Sequence, residues 1–381
     1  MEPKHPSVDD NLKRLLEARK EDLTLRRLEQ NGHLIDFASN DYLGLARSIE
    51  LRDKTDEAYK NYMQIPSGAT GSRLISGNHK LYEELETFIA AYHDAEAGLI
   101  FNSGYDANVG FFSAVPQPGD IVYADELVHA SIRDGLKMTR AARSYFLHND
   151  LSDLEDKLRQ TAGNKFIAVE SIYSMDGDFA PLVELVELAE KYGANLVVDE
   201  AHATGIFGPK GEGRVVELGL QNRVYARVHT FGKALGGHGA IVLGSPVLRE
   251  FLVNYARSFI YTTALPLHSL LWVQNGYDIL ANVYHKNIEM RFLVNLLQQN
   301  LKGLSGGAIS LNKGPIQSLI IPGNGLAKHV SKQLAEAGYY AKAILYPTVP
   351  RGKERIRICL HHFNTQEEVL GLCNTIKASL S

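Results

Sequence analysis

Cysteine is almost missing from this chain. Cys359 and Cys373 are the only two in 381 residues. That is too few for a disulfide framework, and no CxxC spacing suggests zinc, so no metal is expected. Long hydrophobic runs are missing as well. None approaches the roughly 18 apolar residues that a membrane span needs, so no membrane partner is expected. The start, MEPKHPSVDDNLKRLLEARKEDLTLRRLEQ, is highly charged without an apolar centre and does not read as a secretory signal. Nor is positive charge in excess. The 40 Lys and Arg against 44 Asp and Glu leave a net charge of −4, with no basic field to displace counterions from nucleic acid. Internal repeats and low-complexity tracts are not seen. The expectation is a soluble, cytoplasmic globular protein, for which 45% hydrophobic residues is ordinary.

What is present is a rhythm. From about residue 99 to residue 243, short apolar runs (AGLIFNSG, DIVYADE, KFIAVESIYS, NLVVDEAHATG, RVHTFGKA, GAIVLGS) alternate with helical patterns such as PLVELVELAEKYG. Continuous apolar strands between amphipathic helices predict an α/β fold, its mostly parallel sheet covered on both faces. Before it, residues 9–30 place Leu12, Leu15, Leu16, Leu23 and Leu25 at helical spacing, and HLIDFASNDYLGL reads as a short strand entering a turn. After YTTALPLHS, a long helical region over roughly 267–301 leads into alternating strands and helices. The expected division is an N-terminal helical segment, 1–36, a large α/β domain, 37–272, and a smaller α+β domain, 273–381.

Two of these stretches carry chemistry. In HTFGKALGGHG, Lys233 follows an apolar run and sits among glycines. It could be a solvated charge, a phosphate-binding lysine or a covalent nucleophile. A nucleotide-binding loop needs glycine six residues before the lysine and Ser or Thr after it; Arg227 and Ala234 stand there, so that reading fails even though DEAH also occurs in helicases. NLVVDEAHATG ends an apolar strand in Asp199, followed by Glu200 and His202, and ligands of open α/β sheets bind beyond the carboxyl ends of strands. An aspartate capping a turn is the bland reading of the same pattern.

A lysine at one strand end and an acid at another is the pairing that pyridoxal phosphate (PLP) chemistry requires. The lysine forms a Schiff base, and the carboxylate keeps the pyridine nitrogen protonated so that the ring accepts electrons. Desolvation among Gly232, Ala234, Gly236 and Gly237 would lower the lysine's basicity. FNSGYDANVG opens a helix at Ser103–Gly104–Tyr105, whose backbone N–H groups suit a phosphate; Thr230 could add a hydroxyl. His129, just beyond a strand in YADELVHAS, could stack on the ring.

Together TFGKALGG, DEAHATG, ESIYSMDGD, ASNDYLGL, GATGSRLISG and PTVPRGKERIRI resemble the α-oxoamine synthases, in order and over nearly the whole chain. Those are fold-type I PLP enzymes that condense an amino acid with an acyl thioester on coenzyme A or an acyl carrier protein. The resemblance implies a large domain with a mostly parallel, seven-stranded-type sheet. It further implies Lys233 as Schiff-base lysine and proton acceptor, Asp199 at the pyridine nitrogen, His202 at the ring hydroxyl and His129 stacked on the ring. Gly104, Tyr105, Ser174 and Thr230 would hold the cofactor. Asn40 and Arg357 would take the substrate carboxylate, Arg26 and Thr348 would contact substrate, and Glu170 would orient the thioester. A homodimer is implied, with Thr262 or Thr263 reaching the other protomer's phosphate. TFGKALGGHGAIVLGS and FIYTTALP are most similar to the biotin-pathway branch, which joins L-alanine to a pimeloyl thioester. The GGHG after the lysine keeps glycine with acetyl-CoA open as a rival pair. An aminotransferase of the same fold and a catalytically silent, partner-binding subunit stand as further rivals; intact Lys233 and Asp199 argue against the silent subunit.

Overall fold

The computed structural model describes residues 7–161, 163–280 and 284–380; the first six residues of the N-terminal segment therefore lie outside the described ones. In chain order the strands are β1 (Ile35–Asp36), β2 (Ala97–Phe101), β3 (Ile121–Asp125), β4 (Ala142–Phe146), β5 (Lys165–Glu170), β6 (Ala194–Asp199) and β7 (Ala226–Thr230). Then come β8 (Ala240–Gly244), β9 (Ala308–Ile309), β10 (Ile316–Ile320), β11 (Tyr339–Tyr340), β12 (Lys342–Ile344) and β13 (Arg355–Cys359). Contacts group the chain into two units, 40–174 with 178–289, and 1–39 with 175–177 and 290–381.

The larger unit is built on a seven-stranded sheet in the order β2-β8-β7-β6-β5-β3-β4. Only β8 runs against its neighbours; the remaining pairs are parallel. This is the mostly parallel α/β sheet that the apolar runs predict. Alternate residues feed two cores. Phe166, Ala168 and Val197 enter one cluster, while Ile167, Val169, Leu196 and Val198 enter another. With both faces buried, the strands read as unbroken apolar runs. The helix Leu182–Tyr192 buries Leu182, Leu185, Val186 and Ala189, one stripe at helical spacing, and stops at Gly193, whose φ of 59° closes its last turn.

The carboxyl ends of β5, β6 and β7 lie side by side. Glu170 is paired with Asp199, and Asp199 with Val228 two residues before Thr230. The end of β3 carries a charge clamp. Asp125 is fully buried and accepts the N–H groups of Leu127 and Asn149. His148 bridges it to Asp178, with Nδ1 3.0 Å from Asp125 and Nε2 2.7 Å from Asp178. Burial opposes the charge on His148, but the hydrogen bonds to the two carboxylates outweigh it and push its pKa up to about 10. The folded value lies above the unfolded one of about 6.5. The stabilisation is therefore complete below about pH 6.5 and is lost as pH rises through about 10. His148→Ala is expected to cost about 3 kcal/mol at pH 6, because Asp125 keeps a buried charge without its counter-ion. It should also flatten the alkaline limb; urea melts between pH 6 and pH 10.5 measure both.

The smaller unit carries a four-stranded antiparallel sheet, β12-β13-β10-β9, and a two-residue parallel pairing of β1 with β11. Its core joins Leu319, Ile356 and Ile358 of the sheet to Val330 and Leu334 of the helix Asn324–Glu336 and to Val369, Leu372 and Ile376 of the helix Gln366–Leu380. The N-terminal helix is shorter than its leucine spacing predicts. It runs from Val8 to Glu21, started by a Ser7–Asp10 capping box, and Leu23 takes a left-handed φ of 59° just past its end. Leu12, Leu15 and Leu16 are exposed. No helix among the described residues is long and apolar enough to cross a membrane.

Candidate active site

Lys233 lies in the turn between β7 and β8. Phe231 and Gly239 close the turn by a backbone hydrogen bond, Gly237 N–H donates to Phe231 O, and Gly236 N–H donates to Lys233 O. The glycines are needed for space. Gly236 has φ 59°, and a Cβ there would come within 2.1 Å of the backbone nitrogen of Ala46. Trp272 Nε1 donates to Leu235 O and pins the turn from outside.

The half-buried amine of Lys233 is 2.8 Å from His202 Nε2. His202 Nδ1 is 2.7 Å from the hydroxyl of Tyr42, which donates to Asn40 Oδ1 at 3.1 Å. Tyr42 has one proton, and giving it to Asn40 makes its oxygen the acceptor for His202 Nδ1–H. His202 Nε2 is then the acceptor for Lys233. The four groups form one directional chain, and His202 and Tyr42 are buried within it.

Asp199 is buried at the end of β6, and both of its oxygens accept hydrogen bonds: Oδ1 from Ala201 N–H at 2.9 Å, Oδ2 from Asn108 Nδ2 at 2.7 Å. Asn108 also donates to Ser131 Oγ at 3.0 Å, and Ser131 Oγ is 2.7 Å from His129 Nδ1. His129, which caps the helix Ala130–Met138, is itself exposed. Beside Asp199, Glu170 is enclosed. Burial, and then the Asp199 carboxylate, hold its carboxyl well above the usual range, against the pull of Lys233. Its surroundings therefore favour the protonated carboxyl.

The helix Gly104–Ala114 starts from Ser103, whose side chain accepts Asp106 N–H. A Cβ on Gly104 would meet Thr230 Cγ2 at 2.5 Å, so the bare backbone of this helix start lies against Thr230. Thr230 Oγ1 is buried without a hydrogen-bond partner among the described residues. Tyr105 is exposed and donates to Asp134 at 2.8 Å. Asn102 Nδ2 donates to Thr262 Oγ1 at 3.0 Å and to Thr263 O at 2.6 Å, which sets both threonines beside the residues leading into this helix. Ser174 is half-buried after β5.

The larger unit thus contains Lys233, Asp199, His202, His129, Glu170, Asn40, Ser174, Thr230, Thr262, Thr263, Gly104 and Tyr105. Arg26, Thr348 and Arg357 belong to the smaller unit, where Arg357 Nη1 donates to Cys359 Sγ at 2.9 Å. Reasoning from the sequence did not single out Tyr42, Asn108 or Ser131. Signals existed: Tyr42 lies in ASNDYLGL, Asn108 is one helical turn past Gly104, and Ser131 is two residues past His129. No cluster of three or more potential metal ligands occurs among the described residues.

The family model Aminotransferase class I and II matches residues 32–376. The chain is 44% identical to the 8-amino-7-oxononanoate synthase of Emericella nidulans, over 96% of this chain and 94% of that one. It is 39% identical to the 8-amino-7-oxononanoate synthase of Lysinibacillus sphaericus, over 90% and 87%. Among solved structures it resembles serine palmitoyltransferase from S. paucimobilis with bound PLP–myriocin aldimine, at a TM-score of 0.89, 25% identity and 98% coverage of both chains. It also resembles the 8-amino-7-oxononanoate synthase from Francisella tularensis, at a TM-score of 0.78 and 27% identity over 91% and 97%.

Proposed function

This chain belongs to the class I and II aminotransferase family and, within it, to the α-oxoamine synthases, and on that premise we propose that it is a PLP-dependent C-acyltransferase joining L-alanine to a pimeloyl thioester. The products are 8-amino-7-oxononanoate, CO2 and the free thiol carrier. The observation that carries the reading is the Lys233–His202–Tyr42–Asn40 chain in one unit with a buried Asp199 carboxylate and an orphaned Thr230 hydroxyl.

The residues fit the cofactor. Thr230 Oγ1, buried and unpartnered, lies against the bare start of the Gly104–Ala114 helix, where backbone N–H groups favour a phosphate. Gly104, Tyr105, Ser174 and Thr230 would hold the cofactor, Lys233 would anchor the aldehyde, Asp199 would hold the proton of the pyridine nitrogen, His202 would meet the ring hydroxyl, and His129 would cover the ring. When bound, PLP supplies an electron-withdrawing ring that stabilises negative charge developing on the amino acid's α-carbon.

The chain's residues supply the rest. Lys233 Nζ takes the α-proton of alanine, its position set by His202 and, through Tyr42, by Asn40. Asn40 and Arg357 bind the amino acid's carboxylate; an arginine fork suits that group. Glu170, whose protonated form burial favours, donates a hydrogen bond that orients the thioester carbonyl. The α-carbon then forms a bond to that carbonyl carbon as the C–S bond breaks and the thiol leaves. The original carboxyl departs as CO2, and a proton returns to the same carbon.

Gly104→Ala is expected to weaken PLP affinity at least about 10-fold, since the methyl intrudes on the cradle and strikes Thr230 Cγ2. Gly104→Ala with Thr230→Ser should recover most of it, because serine keeps the hydroxyl and lacks that methyl. Absorbance titration of apoprotein with PLP measures both. Assembly as a homodimer, with Thr262 or Thr263 of each protomer reaching the other's phosphate, is part of the proposal, as are a cytoplasmic site of action and coenzyme A or an acyl carrier protein as carrier. Steady-state turnover tests the function: alanine with pimeloyl-CoA should be preferred over glycine with acetyl-CoA and serine with palmitoyl-CoA. Preference for another pair overturns the assignment. So does formation of pyridoxamine phosphate with alanine alone and no release of CO2.

A further inference from the structure

Asn108 and Ser131 have no role in the steps above, yet both are buried beside the residues that do. Asn108 lies on the helix Gly104–Ala114, and Ser131 in the first turn of the helix Ala130–Met138. Their hydrogen bonds run in one direction. A carboxylate only accepts, so the bond from Asn108 Nδ2 to Asp199 Oδ2, 2.7 Å long, fixes which way that amide faces. The second Nδ2 hydrogen goes to Ser131 Oγ at 3.0 Å. The amide keeps this orientation although its own Oδ1 is buried without a partner among the described residues.

Ser131 Oγ accepts from Asn108 and has its single O–H left for His129 Nδ1, 2.7 Å away. The backbone N–H of Ser131 donates to the same nitrogen at 3.2 Å, and a backbone N–H cannot reverse its role. Nδ1 is therefore an acceptor, and the proton of the neutral ring belongs on Nε2. Protonating Nδ1 would set one N–H against another and turn the serine hydroxyl away. The charges around His129 come from several elements. Desolvation is the largest influence on its pKa and holds it below the ordinary histidine value, although the residue as a whole is exposed. Asp199 at the end of β6 and Asp134 on its own helix pull it up, and Lys233 in the turn between β7 and β8 pushes it down. Glu170, at the end of β5, feels the His129 backbone N–H. Against two carboxylates that favour a cation, the two donors at Nδ1 favour a neutral ring.

A cationic ring in this place would compete with the pyridine nitrogen for the Asp199 charge. We propose that Ser131 and, behind it, Asn108 are positioning residues that hold His129 as the neutral Nε2–H tautomer, which leaves the Asp199 carboxylate to the cofactor. The proposal rests on the function above for the identity of that cofactor, whereas the tautomer itself is a property of the apoprotein.

Nitrogen NMR of histidine-labelled apoprotein tests it, with the His129 signals assigned by their loss in His129→Gln. In wild type at neutral pH, Nδ1 should resonate as a bare acceptor and Nε2 as an N–H. Ser131→Ala keeps the backbone donor and removes the hydroxyl, so the His129 titration should move upward by about one pH unit. Asn108→Ala leaves the hydroxyl free to turn away from Nδ1 and should move it in the same direction. The holoenzyme gives a second readout. Activity needs the neutral ring and is lost as pH falls through its pKa, so the acidic limb of kcat/KM should shift upward by the same interval in Ser131→Ala. A merely structural role would lower the melting temperature and leave both titrations where they are, and that result overturns the proposal. So does a wild-type ring that carries its proton on Nδ1, or on both nitrogens, at neutral pH. An acidic limb that stays in place while the NMR midpoint moves overturns it as well. If the apoprotein titration moves as expected but no PLP binds, the functional reading has failed and the assignment of the tautomer to Ser131 and Asn108 stands.

Discussion

Lys233→Ala should lower kcat at least about 10³-fold while leaving the fold intact. The two halves of that expectation have separate causes. The amine is half-buried in a turn held by backbone hydrogen bonds, by Gly236 against Ala46 and by Trp272 on Leu235. Removing it leaves His202 bonded to Tyr42, a loss within the ordinary range of about 1 kcal/mol for a partly exposed substitution. Catalysis loses both the cofactor's anchor and the base, and a positioned base alone contributes about 10²–10⁴-fold. Lys233→Arg should be as inactive, since a guanidinium does not deprotonate in a protein and cannot act as a base. Tyr42→Phe is milder: His202 loses the acceptor at its Nδ1, and turnover should fall about 10-fold. Single-turnover kinetics, the visible absorption of the lysine-bound cofactor and thermal melts separate these effects. A Lys233→Ala protein that keeps a tenth of its turnover, or its visible band, would remove Lys233 from the chemistry.

The strands that position this lysine were legible because burial writes a simple pattern. β5 and β6 place alternate residues in two different cores, so FIAV and LVV are unbroken apolar runs and the acid that follows each marks the strand end. Asp199, Thr230 and Lys233 stand out for the same reason. The partners that complete the site were not legible. Tyr42 meets His202 across 160 positions of sequence, and Asn108 meets Asp199 across 91. Local periodicity carries no information about such pairings, which arise from sheet order. Short elements escape likewise: β1 and β11 have two residues each, too few to show alternation. The N-terminal leucines suggested a longer helix because spacing does not encode the left-handed φ of Leu23. The upward push on the Glu170 carboxyl comes from burial and then from its register opposite Asp199, which no single strand reveals.

That register makes Asp199→Asn the second decisive substitution, with an expected fall in kcat of at least about 10²-fold and no loss of stability at pH 7. Two readings of Asp199 compete, a turn cap and a charge for the pyridine nitrogen, and they differ in what asparagine spares. As a cap, Oδ1 accepts Ala201 N–H, and an asparagine carbonyl does the same. The other oxygen accepts from Asn108, whose own Oδ1 is buried without a partner, so a flip of the Asn108 amide offers an acceptor to the new NH2. The hydrogen bonds can therefore be remade, and only the charge is lost. The charge matters to Glu170 as well. Its folded pKa lies above the unfolded value of about 4.3, so the linked stability is present below that value and falls as pH rises toward the folded pKa. Burial remains the main cause in the variant, but removing the neighbouring carboxylate lowers the Glu170 pKa and lessens that loss. Asp199→Asn should accordingly match or exceed wild type in urea melts at pH 7 to 8 while its turnover collapses. A variant that loses stability and activity in proportion would make Asp199 a cap and leave the ring nitrogen without a partner.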